Sequence, residues 1–167
     1  RLRHLQVERD GRRIQRAQGV FADAANAEAV PERRQPDLGA DRRRAEDNVR
    51  ELGWHPVVGQ YVLARRAYLA GTDDERLSDF NAVARDPTID AVWCLRGGYG
   101  TMRLLEGVDY EAWSRSPKPL IGYSDITALH AAIGARANLV TFHGPTARGT
   151  LSEFSRASLG WALRGAD

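Results

Sequence analysis

The stretch Leu120-Ile121-Gly122-Tyr123-Ser124-Asp125-Ile126-Thr127 decides the fold, because it sets a serine where an apolar strand ends and a helix begins. A serine on so tight a turn is lifted clear of its own backbone, and the first amides of the helix point toward any oxyanion formed beside it. Spacing alone leaves two readings of Ser124 open: a nucleophile, or a simple cap on the helix that follows. The pattern Gly122-x-Ser124-Asp125-Ile126 keeps the first glycine of the G-x-S-x-G elbow and has isoleucine in place of the last.

Working outward, helix and strand signals alternate. Upstream, Ala45 to Leu52 reads as the end of a helix closed by Gly53, and Trp54 to Tyr61 as a strand with an early Pro56. Thr72-Asp73-Asp74-Glu75 is a capping box, after which Leu77, Phe80 and Ala84 fall on one helical face until Asp86-Pro87 stops it. Ile89 to Leu95 is a nearly continuous apolar run, as a strand buried on both faces requires. Gly97-Gly98-Tyr99-Gly100 then makes the turn into a short helix, Thr101 to Leu105. Pro119 to Tyr123 reads as the next buried strand, Asp125 to Arg136 as a helix, Leu139 to Phe142 as a further strand and Ser155 to Arg164 as a last helix. The alternation predicts an α/β fold, a mainly parallel sheet with helices on both faces, whose ligands gather at the carboxyl ends of the strands. Both the glycine turn and the serine turn lie on that edge.

Composition narrows the function classes. The chain has 167 residues and a formal net charge of +2, so its arginine excess is no nucleic-acid footprint. Lys118 is the single lysine, a bias we read as codon usage. Cys94 is the single cysteine, which excludes an internal disulfide, and its apolar run assigns it to core packing. No apolar run is long enough to span a bilayer, and Arg1 to Arg13 is too charged for a signal peptide, so a soluble, cytoplasmic protein is expected. Residues 1–45 are rich in arginine, with Arg33-Arg34 and Arg42-Arg43-Arg44, and their apolar residues hold no period. That segment predicts an irregular opening, disordered or mistranslated, ahead of a domain over residues 46–167.

The glycine turn has three readings. As a phosphate cradle it fails the G-x-G-x-x-G spacing, because Arg103 stands at the third glycine position. It can be a turn that needs positive φ. It can also let a bare amide approach a reacting carbonyl and so supply one oxyanion donor, the amide of Asp125 being the second. The base for a serine nucleophile is harder to find. His130 lies six residues along the same helix, roughly 9 Å by the helical rise and rotated away. His143, at the end of Phe142-His143-Gly144-Pro145, can face the same edge and reads as pocket wall or structural histidine ahead of general base, since no evident carboxylate partner accompanies it. His4 lies in the irregular opening and His55 before Pro56, and no His and Cys spacing suggests a metal site. No cofactor is expected.

Taken together, Tyr68-Leu69-Ala70-Gly71-Thr72-Asp73, Arg96-Gly97-Gly98-Tyr99-Gly100 with Arg103, Lys118-Pro119 leading into Gly122-Tyr123-Ser124-Asp125-Ile126-Thr127-Ala128-Leu129-His130, and Thr141-Phe142-His143-Gly144-Pro145 closely resemble the amino-terminal domain of LD-carboxypeptidases, the muramoyltetrapeptide carboxypeptidases of serine peptidase family S66. The resemblance covers roughly residues 46 to 150. It implies a class I glutamine amidotransferase-like or flavodoxin-like domain. It also implies Ser124 as nucleophile, oxyanion donors at the amides of Asp125 and of Gly97 or Gly98, and metal-free hydrolysis of the bond between a diamino acid and a terminal D-alanine of a murein tetrapeptide in peptidoglycan recycling. Arg96, Tyr99, Arg103 and His143 are the substrate-binding candidates, and a homodimer is the assembly implied. The family's glutamate and histidine come from a carboxyl-terminal domain, which this chain is expected to lack, along with activity alone. The family's hydrophobic first strand is missing or replaced here, and a frameshift in the opening is one reading of that. Two rival functions stand beside this one: a self-immunity peptidase of the same family acting on peptide-nucleotide antibiotics, and a noncatalytic α/β binding module.

Overall fold

The computed structural model describes residues 37–164. Three short parallel strands, β1 (Val92–Trp93), β2 (Leu120–Gly122) and β3 (Phe142–His143), form a sheet in the order β1-β2-β3. Val92 pairs with Leu120, and Ile121 with Phe142. The apolar run of β1 explains its burial, since Ala91 through Leu95 are all nearly inaccessible.

Side chains leave such a strand on alternate faces, and two cores follow from that alternation. Val92, Cys94 and Leu120 face one layer, closed by Phe80, Val83 and Ala84 of α2 (Asp73–Arg85), Ala112 and Trp113 of α3 (Tyr110–Arg115), and Leu129 and Ile133 of α4 (Thr127–Ala137). Trp93, Leu95 and Ile121 face the other, closed by Ala45 and Val49 of α1 (Leu38–Glu51) and Leu159 and Leu163 of α5 (Glu153–Arg164). The sheet is therefore covered on both faces, as the sequence predicts.

Local chemistry sets the helix ends. Thr72 and Glu75 form the expected capping box around the first turn of α2. Helix α3 is absent from the sequence reading. Its start is set by Asp109, whose carboxylate accepts the Ala112 amide at 2.9 Å. Helix α1 opens at Leu38 with Asp37 as its cap, inside the segment that the composition assigns to an irregular opening. The rest of that opening, residues 1–36, lies outside the described residues.

Two strand expectations fail. Residues 54–61 form a loop rather than a strand. The Gln60 and Tyr61 amides are taken by the buried Asp79 carboxylate at 3.1 and 2.9 Å, and Trp54 turns its ring edge-on to Trp93 instead of extending a ladder. The third strand begins at Phe142, not Leu139, because Asn138 closes α4 in the left-handed conformation and the chain needs the next residues to regain the sheet.

Candidate active site

Ser124 stands between β2 and α4 with φ +65°, one of three non-glycine residues in the left-handed region among those described. An L-residue there carries roughly 1–2 kcal/mol of strain. Its side chain makes no cap bond to the turn Ser124–Ile126 or to α4, so the helix-cap reading fails. The residue is solvent-exposed. Ser124 is thus strained and exposed and does not serve its own helix.

The end of the strand before it is fixed from two sides. The Gly122 carbonyl accepts the Gly144 amide at 3.0 Å and meets His130 Nε2 at 2.9 Å. Because a carbonyl only accepts, His130 donates through Nε2 and is committed to the strand end, in keeping with its expected unsuitability as a base. Its Nδ1 is buried and finds no hydrogen-bond partner. Burial lowers the pKa of His130, the bond to the Gly122 carbonyl opposes this, and the neighbouring His143 adds to the lowering. A side chain on Gly122 itself would press on Ile126 and Cys94, with a Cβ at 3.0 and 3.1 Å from them.

The glycine turn lies directly against the serine. A Cβ on Gly97 would sit 2.8 Å from Ser124 Cβ, 3.1 Å from Ser124 Oγ and 3.0 Å from the Tyr123 carbonyl oxygen. None of Gly97, Gly98 and Gly100 has positive φ, so close approach and not turn geometry demands glycine at Gly97. Gly100 is held by both of its peptide groups: its amide donates to Asp125 Oδ2 at 2.8 Å, and its carbonyl accepts from Arg76 Nη1 at 3.2 Å. The Thr101 amide donates to the same Asp125 oxygen at 2.8 Å. Sequence reasoning assigned Asp125 a backbone role alone and missed this bridge, which joins residues far apart in the chain and leaves no local signal.

The remaining candidates separate. Arg103 donates to Asp73 at 2.9 Å through Nε, and Asp73 also pairs with the buried Arg76. Burial works against the Asp73 carboxylate, but hydrogen bonds from Arg76 and Arg103 hold its pKa below the usual value. Arg103 thus belongs to the brace beneath the glycine turn. Arg96 follows β1, and burial together with the like charge of Arg148 brings its pKa down to about 10, leaving it cationic at neutral pH. Tyr99 is 72% exposed at the rim. His143 packs edge-on to Tyr123, ring centroids 6.4 Å apart, with the His130 ring 6.1 Å away. Among the described residues no group of three or more His, Cys, Asp or Glu side chains is arranged to hold a metal, and no helix is long and apolar enough to cross a membrane.

A strained serine and a glycine turn meeting at the carboxyl edge of a parallel sheet place this chain among α/β domains whose sites lie at the carboxyl ends of their strands. Residues 24–144 match the family of LD-carboxypeptidase N-terminal domains, peptidase S66, and the chain belongs to that family. It is 50% identical over 103 residues to a putative carboxypeptidase of Streptomyces coelicolor, a match covering 58% of this chain and 33% of the relative. It is 48% identical over 111 residues to the murein tetrapeptide carboxypeptidase of Pseudomonas aeruginosa, covering 62% of this chain and 35% of that one. Among solved structures, the microcin C7 self-immunity protein superposes with a TM-score of 0.79 at 28% identity, over 92% of this chain and 46% of that one. The chain spans about a third of the length of these curated relatives.

Proposed function

We propose that this domain carries the nucleophile of a serine-type LD-carboxypeptidase that removes the terminal D-alanine from murein tetrapeptides during cytoplasmic wall recycling. The observation that carries the reading is Ser124, held at φ +65° with Gly97 pressed against its Cβ. Ser124 Oγ attacks the carbonyl carbon of the diamino acid residue while its proton passes to a base. The oxyanion sits between the amide of Asp125 and that of Gly97 or Gly98, the D-alanine amine leaves with a proton, and water then releases the acyl group. Arg96, cationic at neutral pH, and Arg103 are the candidate cations for the substrate's terminal carboxylate.

The general base is the open member, because His130 is committed to the Gly122 carbonyl. The family resemblance assigns the histidine and glutamate to a part of the protein beyond this match. The 167 residues incubated alone with a tetrapeptide ending in L-lysyl-D-alanine are therefore expected to release no D-alanine, the loss being on the order of four to six powers of ten. Rapid turnover would overthrow that assignment. In a family-length protein, a fluorophosphonate should label Ser124, and S124A should abolish the labelling. Tight nucleotide binding with no labelling would instead favour the noncatalytic module.

The structural likeness to the microcin C7 self-immunity protein supports a second reading within the family, hydrolysis of a peptide-nucleotide antibiotic. Competing the two substrate classes against each other in the family-length protein separates them by kcat/KM.

A further inference from the structure

Two turns must keep a fixed separation if amides from both are to meet one oxyanion, and a shift of an ångström would spoil the pair. Among the hydrogen bonds of the described residues, a side chain links them. Asp125 follows Ser124 on the serine turn, and its Oδ2 receives the amides of Gly100 and Thr101, each at 2.8 Å, from the glycine turn. Those amides open the short 3-10 helix Thr101–Gly107, which has no cap from its own flank. The glycine turn is thereby pinned at both ends, Gly97 against Ser124 Cβ and Gly100 on the Asp125 carboxylate. From beneath, Arg76 holds the Gly100 carbonyl, and Leu69 lies so close that a Cβ on Gly100 would come within 2.7 Å of it.

We propose that the Asp125 carboxylate is a positioning residue that sets the distance between the two oxyanion-binding turns, so that one residue supplies one donor through its backbone and places the other through its side chain. The proposal rests on the serine-peptidase reading of Ser124. A purely structural rival gives Asp125 the lesser task of capping the 3-10 helix. The two differ in what loosens when the carboxylate goes. A cap protects Met102 to Leu105, whereas a spacer also governs the reactivity of Ser124.

The test reads amide hydrogen exchange in this chain and fluorophosphonate labelling of Ser124 in a family-length protein. In D125A, exchange at Gly100 and Thr101, whose amides the carboxylate holds, should quicken by about tenfold or more, with the amides of α2 and α4 unchanged. Labelling should fall by about 10- to 100-fold, in the range found when one oxyanion donor is lost. D125N keeps an acceptor oxygen at the same reach and should recover labelling to within about threefold of the parent. A folded D125A whose labelling is undiminished overturns the proposal. Should D125A not fold, D125E carries the test. Its longer arm keeps the carboxylate and the protection of Gly100 and Thr101 but displaces the turn, so labelling should drop about tenfold; parental labelling in D125E refutes the spacer. Absence of labelling in the unsubstituted protein removes the serine reading itself, whatever the exchange shows.

Discussion

Ser124 stores backbone strain on its turn, and strain of this kind is measurable. Glycine adopts the same φ freely, so S124G should be at least as stable as the parent, and up to about 1 kcal/mol more stable in urea unfolding, although the unfolded chain gains freedom in the exchange. A clear destabilisation would mean that the Ser124 side chain, not its position, supports the turn. His130 gives the second prediction at this scale. Its folded pKa lies below the ordinary value of about 6.5, so as pH falls through about 6.5 the unfolded chain takes up a proton first and stability declines, levelling once the folded imidazole also protonates. The thermal midpoint should drop between about pH 7.5 and pH 5.5, and H130Q should flatten that slope. An unchanged slope in H130Q would assign the pH dependence elsewhere. Cys94 fits its expected core role, since burial pushes its thiol up to about 12 and removes it from thiolate chemistry.

At the scale of elements, the capping box of α2 was legible because all of its parts lie within four residues. The end of the same helix was not. Lys118, which enters from the approach to β2, is 2% exposed, and its Nζ donates to the Val83 carbonyl at 2.7 Å and the Asp86 carbonyl at 2.8 Å. Burial lowers its pKa to about 8, with Asp86 and Asp90 opposing the drop. The single lysine of the chain is thus a C-terminal cap delivered from another element. K118M fills the same space but leaves both carbonyls unpaired, and it should lower stability by about 1–3 kcal/mol in chemical denaturation. A neutral result would mean that solvent reaches those carbonyls. The 54–61 loop teaches the complementary lesson. Its composition suits a strand, yet the buried Asp79 takes the Gln60 and Tyr61 amides that a ladder would use.

Across the whole molecule, β2 is the shared wall of both cores, with Leu120 turned to one and Ile121 to the other, each fully buried. Removing the Ile121 side chain opens a cavity on the α1 and α5 side only. Because the same strand supports both layers, I121A should still unfold in a single transition, with a loss of about 2–5 kcal/mol. Two separate transitions would show the layers to be independent. Surface ion pairs such as Arg148 with Asp41 at 2.8 Å, and Arg156 with Glu51, join α1 to the carboxyl-terminal segment but lie too exposed to contribute much.

The sequence by itself determined the parallel α/β order, the buried strands, the capping box and the meeting of serine and glycine turns at one edge. These follow from periodicity and from residues that are neighbours in the chain, and the same residues carry the family resemblance. Only the tertiary structure decided that Ser124 is no cap, that Gly97 is glycine because Ser124 Cβ lies against it, that Arg103 is engaged by Asp73, and that Asp125 and Lys118 reach across to distant backbone groups. Apart from the missing local bond at Ser124, the physical reason is common: each is a contact between segments far apart in sequence, and a hydrogen bond or a close approach has no sequence period to reveal it.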